Sequence, residues 1–187
     1  MALSLRKTVV MVGMMGAGKT AIGRAVAEKL DVPFLDSDEE IVRAAQMEIS
    51  EIFERDGEGF FRDRETEVIT RLLDEAPCIL STGGGAFLSP RNRDVISEKG
   101  VSVWLNADLE LLWSRVRHKD TRPLLRTADP KATLTELWQA RVPHYQQADL
   151  AVDSHENYSI SDMADRVILD LKKRSDVLEK NQENEDD

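Results

Sequence analysis

Short unbroken apolar runs alternate along this chain with longer segments in which apolar residues return every three or four positions. The runs Thr8–Val12, Val32–Asp36, Cys78–Thr82, Val101–Leu105 and Asp149–Val152 are too short for helices, and they predict five strands buried on both faces. Helical spacing follows the first run at Ala21, Ile22, Ala25, Val26 and Leu30, then covers Asp38 to Met47, with Ser50 placed to cap a short helix carrying Ile52 and Phe53. Gly57-Glu58-Gly59 breaks the pattern before a longer helix from about Phe60 to Asp74, whose stripe is Phe61, Val68, Ile69 and Leu72. Further helices are predicted over Pro90–Lys99, Asp108–Arg117 and Thr133–His144, and a last one carries Ile160, Met163, Ala164, Val167, Ile168 and Leu171. The stretch His118 to Lys131 is polar, holds two prolines and reads as a loop. Strands alternating with helices in this way specify an α/β fold of three layers, a parallel sheet covered on both faces.

At the first strand-to-helix junction stands Gly13-Met14-Met15-Gly16-Ala17-Gly18-Lys19-Thr20, which satisfies the G-x-x-x-x-G-K-[ST] pattern of a phosphate-binding P-loop. Its context is the required one, a strand before and a helix after. The backbone from Gly13 through Gly16, Ala17, Gly18, Lys19, Thr20 and Ala21 offers successive N–H groups and a helix N-terminus to a polyphosphate. Lys19 is placed to reach the β- and γ-phosphates and Thr20 to ligate Mg²⁺, so a nucleotide with Mg²⁺ is the expected pairing. At the end of the second strand Asp36 and Asp38 deliver two carboxylates where open α/β sheets place their chemistry. One suits Mg²⁺ through water and the other suits the attacking hydroxyl, in that order or exchanged, and either aspartate also fits a helix N-cap.

Composition narrows the partners. The 187 residues carry a formal net charge of −10, which argues against general affinity for nucleic acid or anionic membranes. Residues 179–187 hold five acids against Lys180, contributing −4 and leaving −6 for the rest; without an apolar residue they are expected to form a disordered acidic tail behind a single domain spanning 1–178. The single cysteine, Cys78, lies in an apolar run and reads as a core thiol in a reducing, cytoplasmic setting. Arg6-Lys7 ahead of an apolar stretch imitates a signal peptide, but Lys19 stands where a cleavage site would be. The three histidines show no ligand spacing, the three tryptophans read as packing, and the chain is expected to act as a monomer.

The P-loop, Phe34-Leu35-Asp36-Ser37-Asp38, Gly59-Phe60-Phe61-Arg62, Ser81-Thr82-Gly83-Gly84-Gly85, Arg122-Pro123-Leu124-Leu125, and Arg141 with Tyr145 together resemble, in order and spacing, the motif set of shikimate kinases. The resemblance covers Gly13 to about Asp153. It implies a five-stranded sheet in the order 2-3-1-4-5, ATP as donor and the 3-hydroxyl of shikimate as acceptor, with a substrate-binding segment at about 37–64 and a lid at about 118–131. It further implies that Arg62 and Arg141 bind the substrate carboxylate, that the Gly83-Gly84-Gly85 backbone contacts the ring, that Arg122 is a lid arginine reaching the transferring phosphate, and that Arg115 stacks near adenine. The residues alone leave plainer readings open: Arg62 paired with acids on its own helix, Arg115 solvated, the three glycines a flexible turn. A gluconate or nucleotide kinase would share the P-loop but not the triple glycine combined with Arg62 and Arg141. A GTPase would need an Asn-Lys-x-Asp motif, which is missing from the sequence, and a non-enzymatic nucleotide-binding module would not need Asp36 and Asp38.

Overall fold

The computed structural model describes residues 2–118 and 123–181. In chain order the strands are β1 (Leu3–Leu5), β2 (Val9–Val12), β3 (Phe34–Asp36), β4 (Ile79–Ser81), β5 (Val101–Asn106), β6 (Leu150–Asp153) and β7 (Leu178–Lys180). The helices are α1 (Lys19–Leu30), α2 (Ser37–Ala45), α3 (Ile49–Asp74), α4 (Pro90–Lys99), α5 (Leu109–Val116), α6 (Pro130–Tyr145) and α7 (Ile160–Leu171).

Strands β2 to β6 form one parallel sheet in the order β3-β4-β2-β5-β6, which is the expected 2-3-1-4-5 when these five are counted alone. Val9 is in register with Ile79 on one side and Val101 on the other. Every residue of β2 is buried, because helices cover both faces and leave no polar side of the kind that alternation would reveal. Helix starts follow from local chemistry. Asp108 accepts from Leu111 N at 2.8 Å to cap α5, Asp129 accepts from Ala132 N at 3.1 Å to cap α6, and Ser159 with Asp162 forms a capping box on α7. Among the described residues no helix is long and apolar enough to cross a membrane.

Three expectations need correction. Ser50 does not cap: α3 starts at Ile49 behind Glu48, so Ser50 lies inside it. The glycine break itself is present: Gly57 (φ 84°, ψ 172°) interrupts α3 with non-helical backbone and separates the short helix carrying Ile52 from the longer one that runs to Asp74. Helix α6 begins at Pro130 rather than Thr133, because Asp129 supplies the cap and proline suits the first helical position. The acidic tail does not start at 179: β7 runs antiparallel to β1, with Leu3 opposite Lys180 and Leu5 opposite Leu178. Arg6 Nε donates to Glu179 Oε2 at 2.7 Å, and Val177 and Leu178 are buried beneath this ribbon. Backbone pairing needs no apolar side chain at 179 and 180, so polarity was a poor guide there. Residues 182–187 lie outside the described residues.

The order β3-β4-β2 sets three strand ends side by side. Asp36 closes β3, Thr82 and Gly83 follow β4, and Gly13 follows β2, which gathers the carboxylates, the glycine turn and the P-loop on one edge.

Candidate active site

The P-loop wraps the N-terminus of α1. Gly16 has φ 80°, and a Cβ there would lie 2.7 Å from Val116 Cγ1 of α5, so a larger residue is strained by its backbone and would press on the Val116 side chain. Lys19 Nζ donates to Gly13 O at 2.5 Å and Met14 O at 3.3 Å, folded back across the loop it serves. Thr20 stands exposed in the first turn of α1. Beside the loop opens a cavity of about 480 Å³, lined by Met14, Met15, Gly16 and residues 18–22 on one side and by Arg115, Tyr158, Ser159, Ile160 and Met163 on the other. Arg115 is not a free surface arginine: its Nη1 donates to Gly16 O at 3.0 Å and its Nη2 to Ser154 Oγ at 3.5 Å, and burial pushes its pKa below the usual arginine range.

Next to this cavity the three consecutive glycines each give way to a different charged side chain. A Cβ on Gly83 would sit 2.7 Å from Asp38 Oδ1, one on Gly84 would sit 3.0 Å from Arg141 Nη1, and one on Gly85 would sit 2.9 Å from Arg62 Cζ. Residues from α2, α3 and α6 thus converge on one turn after β4. Tyr145 Oη donates to Gly84 O at 2.9 Å, and Arg141 Nη1 lies 3.4 Å from the same oxygen. Tyr145 is buried, stacking against Trp104 and Phe87, which keeps α6 against the turn and gives Trp104 the packing role expected of it.

The carboxylates divide their work. Asp36 Oδ1 accepts from Asp38 N at 2.9 Å and Glu39 N at 3.2 Å, so Asp36 is the N-cap of α2 and Asp38 is not. Asp38 is thereby left for the site. Burial, together with the negative charges of Asp36 and Glu65, pushes its pKa up to about 6, against the opposing pull of Lys19 and Arg62. Arg62 pairs within its own helix, as the plainer reading had it: its Nε lies 3.7 Å from the exposed Glu58 carboxylate, and a closer partner is buried. Its Nη1 lies 3.0 and 3.2 Å from the two oxygens of Glu65, a fully buried carboxylate whose pKa burial raises. Glu65 takes a further contact from Asn92 Nδ2 at 3.4 Å.

The structure therefore brings Lys19, Asp36, Asp38, Arg62, Arg141 and the three glycines to one edge, with Arg115 in the adjoining cavity. Arg122 lies outside the described residues. Sequence reasoning missed Glu65, Asn92 and the Tyr158 to Met163 wall. Glu65 was detectable, three residues after Arg62 on a helix; Asn92 left no local signal.

The shikimate kinase family model matches residues 15–172. The chain is 70% identical over 178 residues to the shikimate kinase of Ruegeria pomeroyi, covering 95% of this chain and 91% of that protein. It is 64% identical over 175 residues to the shikimate kinase of Cereibacter sphaeroides, covering 94% and 87% respectively. Among solved structures, shikimate kinase from Acinetobacter baumannii in complex with shikimate superposes with a TM-score of 0.81 at 37% identity, over 90% of this chain and 94% of that one. A gluconokinase from Sinorhizobium meliloti reaches a TM-score of 0.61 at 17% identity, a likeness of fold alone. Site geometry, family match and near relatives agree, and the chain belongs to the shikimate kinase family.

Proposed function

We propose that this chain, an ATP-dependent small-molecule kinase by its family, transfers the γ-phosphoryl group of ATP to the 3-hydroxyl of shikimate, giving ADP and shikimate 3-phosphate. The observation that carries the reading is the convergence of Asp38, Arg141 and Arg62 on three successive glycines beside a P-loop. Two arginines with planar donor faces suit a carboxylate, and a partly protected carboxylate between them and the P-loop suits a hydroxyl.

Transfer breaks the bond between the γ-phosphorus and its bridging oxygen and forms one to the acceptor hydroxyl oxygen. The transition state is loose, so the protein mainly positions reactants and neutralises charge on the equatorial oxygens. Lys19 and the P-loop N–H groups do so from one side. With its pKa near 6, Asp38 is mostly ionised at neutral pH, and it orients the hydroxyl and takes its proton. Arg62, held by Glu65, and Arg141, held at Gly84, grip the carboxylate. Arg115 bounds the nucleotide cavity, and Arg122 is assigned to the lid at about 118–131 by resemblance.

Mg²⁺ fits the donors present: Thr20 supplies a hydroxyl, Asp36 keeps one oxygen free of cap contacts, and the described residues hold no cluster of three or more metal-binding side chains, as suits an ion that takes most ligands from water and phosphate. Held by Thr20 and, through water, by Asp36, the ion would offset the charge of the phosphates. ADP release measured with shikimate, gluconate and a nucleoside monophosphate as acceptors tests the reading. Release should depend on shikimate; activity only with gluconate or the nucleotide would overturn it.

A further inference from the structure

Asn92, in the first turn of α4, is completely buried, and its amide touches two separate walls of the acceptor site. Nδ2 donates to Ala86 O at 2.9 Å and approaches Glu65 Oε1 at 3.4 Å, while Oδ1 accepts from Thr66 Oγ1 at 2.7 Å. A carbonyl and a carboxylate on one side fix the amide orientation, since both need donors. Ala86 directly follows the glycine turn. Glu65 and Thr66 follow Arg62 on α3, and the Thr66 hydroxyl also lies 3.0 Å from Arg62 O.

We propose that Asn92 is a positioning residue for carboxylate recognition, setting the separation between the Arg62-bearing helix and the glycine turn through its contacts with Glu65 and Ala86. The inference rests on the reading of Arg62 as a carboxylate-binding residue. The gap it sets is narrow, because the guanidinium already lies where a Cβ on Gly85 would stand. The chemistry is specific to an amide: an uncharged group must supply two donors and one acceptor within a short reach. Aspartate would set a second carboxylate against Glu65, and leucine would leave the Ala86 carbonyl and the buried carboxylate short of a donor. Burial already favours the neutral form of Glu65, and the Asn92 and Arg62 donors oppose that drift. Losing the amide donor weakens the ionised Glu65 that holds Arg62 in place.

The test compares Asn92→Leu, Glu65→Gln and the double variant with wild type, reading kcat, both KM values and thermal melting. Asn92→Leu should raise the shikimate KM by about tenfold and leave the ATP KM within about twofold. Because both residues act through one carboxylate, the double variant should stay within about twofold of Glu65→Gln alone. Equal rises in both KM values, or singles that multiply in the double variant, overturn the proposal and make Asn92 merely structural. Should Asn92→Leu melt below assay temperature, Thr66→Val carries the test: it removes one hydroxyl and should raise the shikimate KM by about two- to fivefold with no change for ATP, and an unchanged shikimate KM overturns the proposal. A wild type that turns over no shikimate overturns the functional reading itself, and this inference with it.

Discussion

An alanine at Gly83 would press on Asp38, and an alanine at Gly85 would press on Arg62, although neither glycine has a backbone conformation that forbids a side chain. The two substitutions should therefore separate by kinetics: Gly83→Ala should lower kcat at least about tenfold, and Gly85→Ala should mainly raise the shikimate KM by a similar factor. Steady-state kinetics showing one shared pattern would contradict the pairing of each glycine with its own side chain. Lys19→Ala should lower kcat by at least about a hundredfold in a folded protein, since it removes a cation aimed at the transferring group. Asp36 caps α2 and is proposed to help hold Mg²⁺ as well. Asn caps as well as Asp, so Asp36→Asn should weaken apparent Mg²⁺ affinity at nearly unchanged melting temperature, whereas Asp36→Ala should also cost about 1 kcal/mol of stability. Magnesium titrations of ADP release, run beside thermal melts, check the split; an unaltered Mg²⁺ dependence in Asp36→Asn would remove Asp36 from the metal site. The sequence left Gly83-Gly84-Gly85 open between a close approach and a flexible turn. It could not decide, because the approaching residues stand at 38, 62 and 141 and only the fold assembles them.

At the level of elements, the five parallel strands and the helices between them were legible because burial on both sheet faces makes a strand a continuous apolar run. The small β1 and β7 ribbon was not. Its strands are three residues each, they come from opposite ends of the chain, and pairing through backbone groups leaves polar side chains outside. Helix boundaries slipped where a cap decided them, as Asp129 did for α6. Deleting residues 178–187 removes the buried Leu178 and the Arg6 to Glu179 pair. Burying one leucine contributes about 1.5–3 kcal/mol, so the melting temperature should fall by about 3–12 °C for a chain of this size. A melt indistinguishable from full length would show that β7 adds nothing to stability.

For the molecule as a whole, a chain of net charge −10 is assigned two anionic substrates, and the sheet order reconciles the two facts. Strands β3, β4 and β2 end beside one another, and their edge concentrates Lys19, Arg62 and Arg141, with Arg115 adjoining, in a setting where partial burial strengthens each charge. Fold alone does not choose the acceptor, since a gluconokinase shares the architecture. We propose that Arg62 grips the acceptor carboxylate. Calorimetric titration of shikimate into wild type, Arg62→Ala and Arg62→Lys tests this most directly. The account predicts a loss of about 2–5 kcal/mol for Arg62→Ala, with only part recovered by Arg62→Lys because a point charge cannot replace the planar fork. Dissociation constants for shikimate that match wild type in both variants would contradict it.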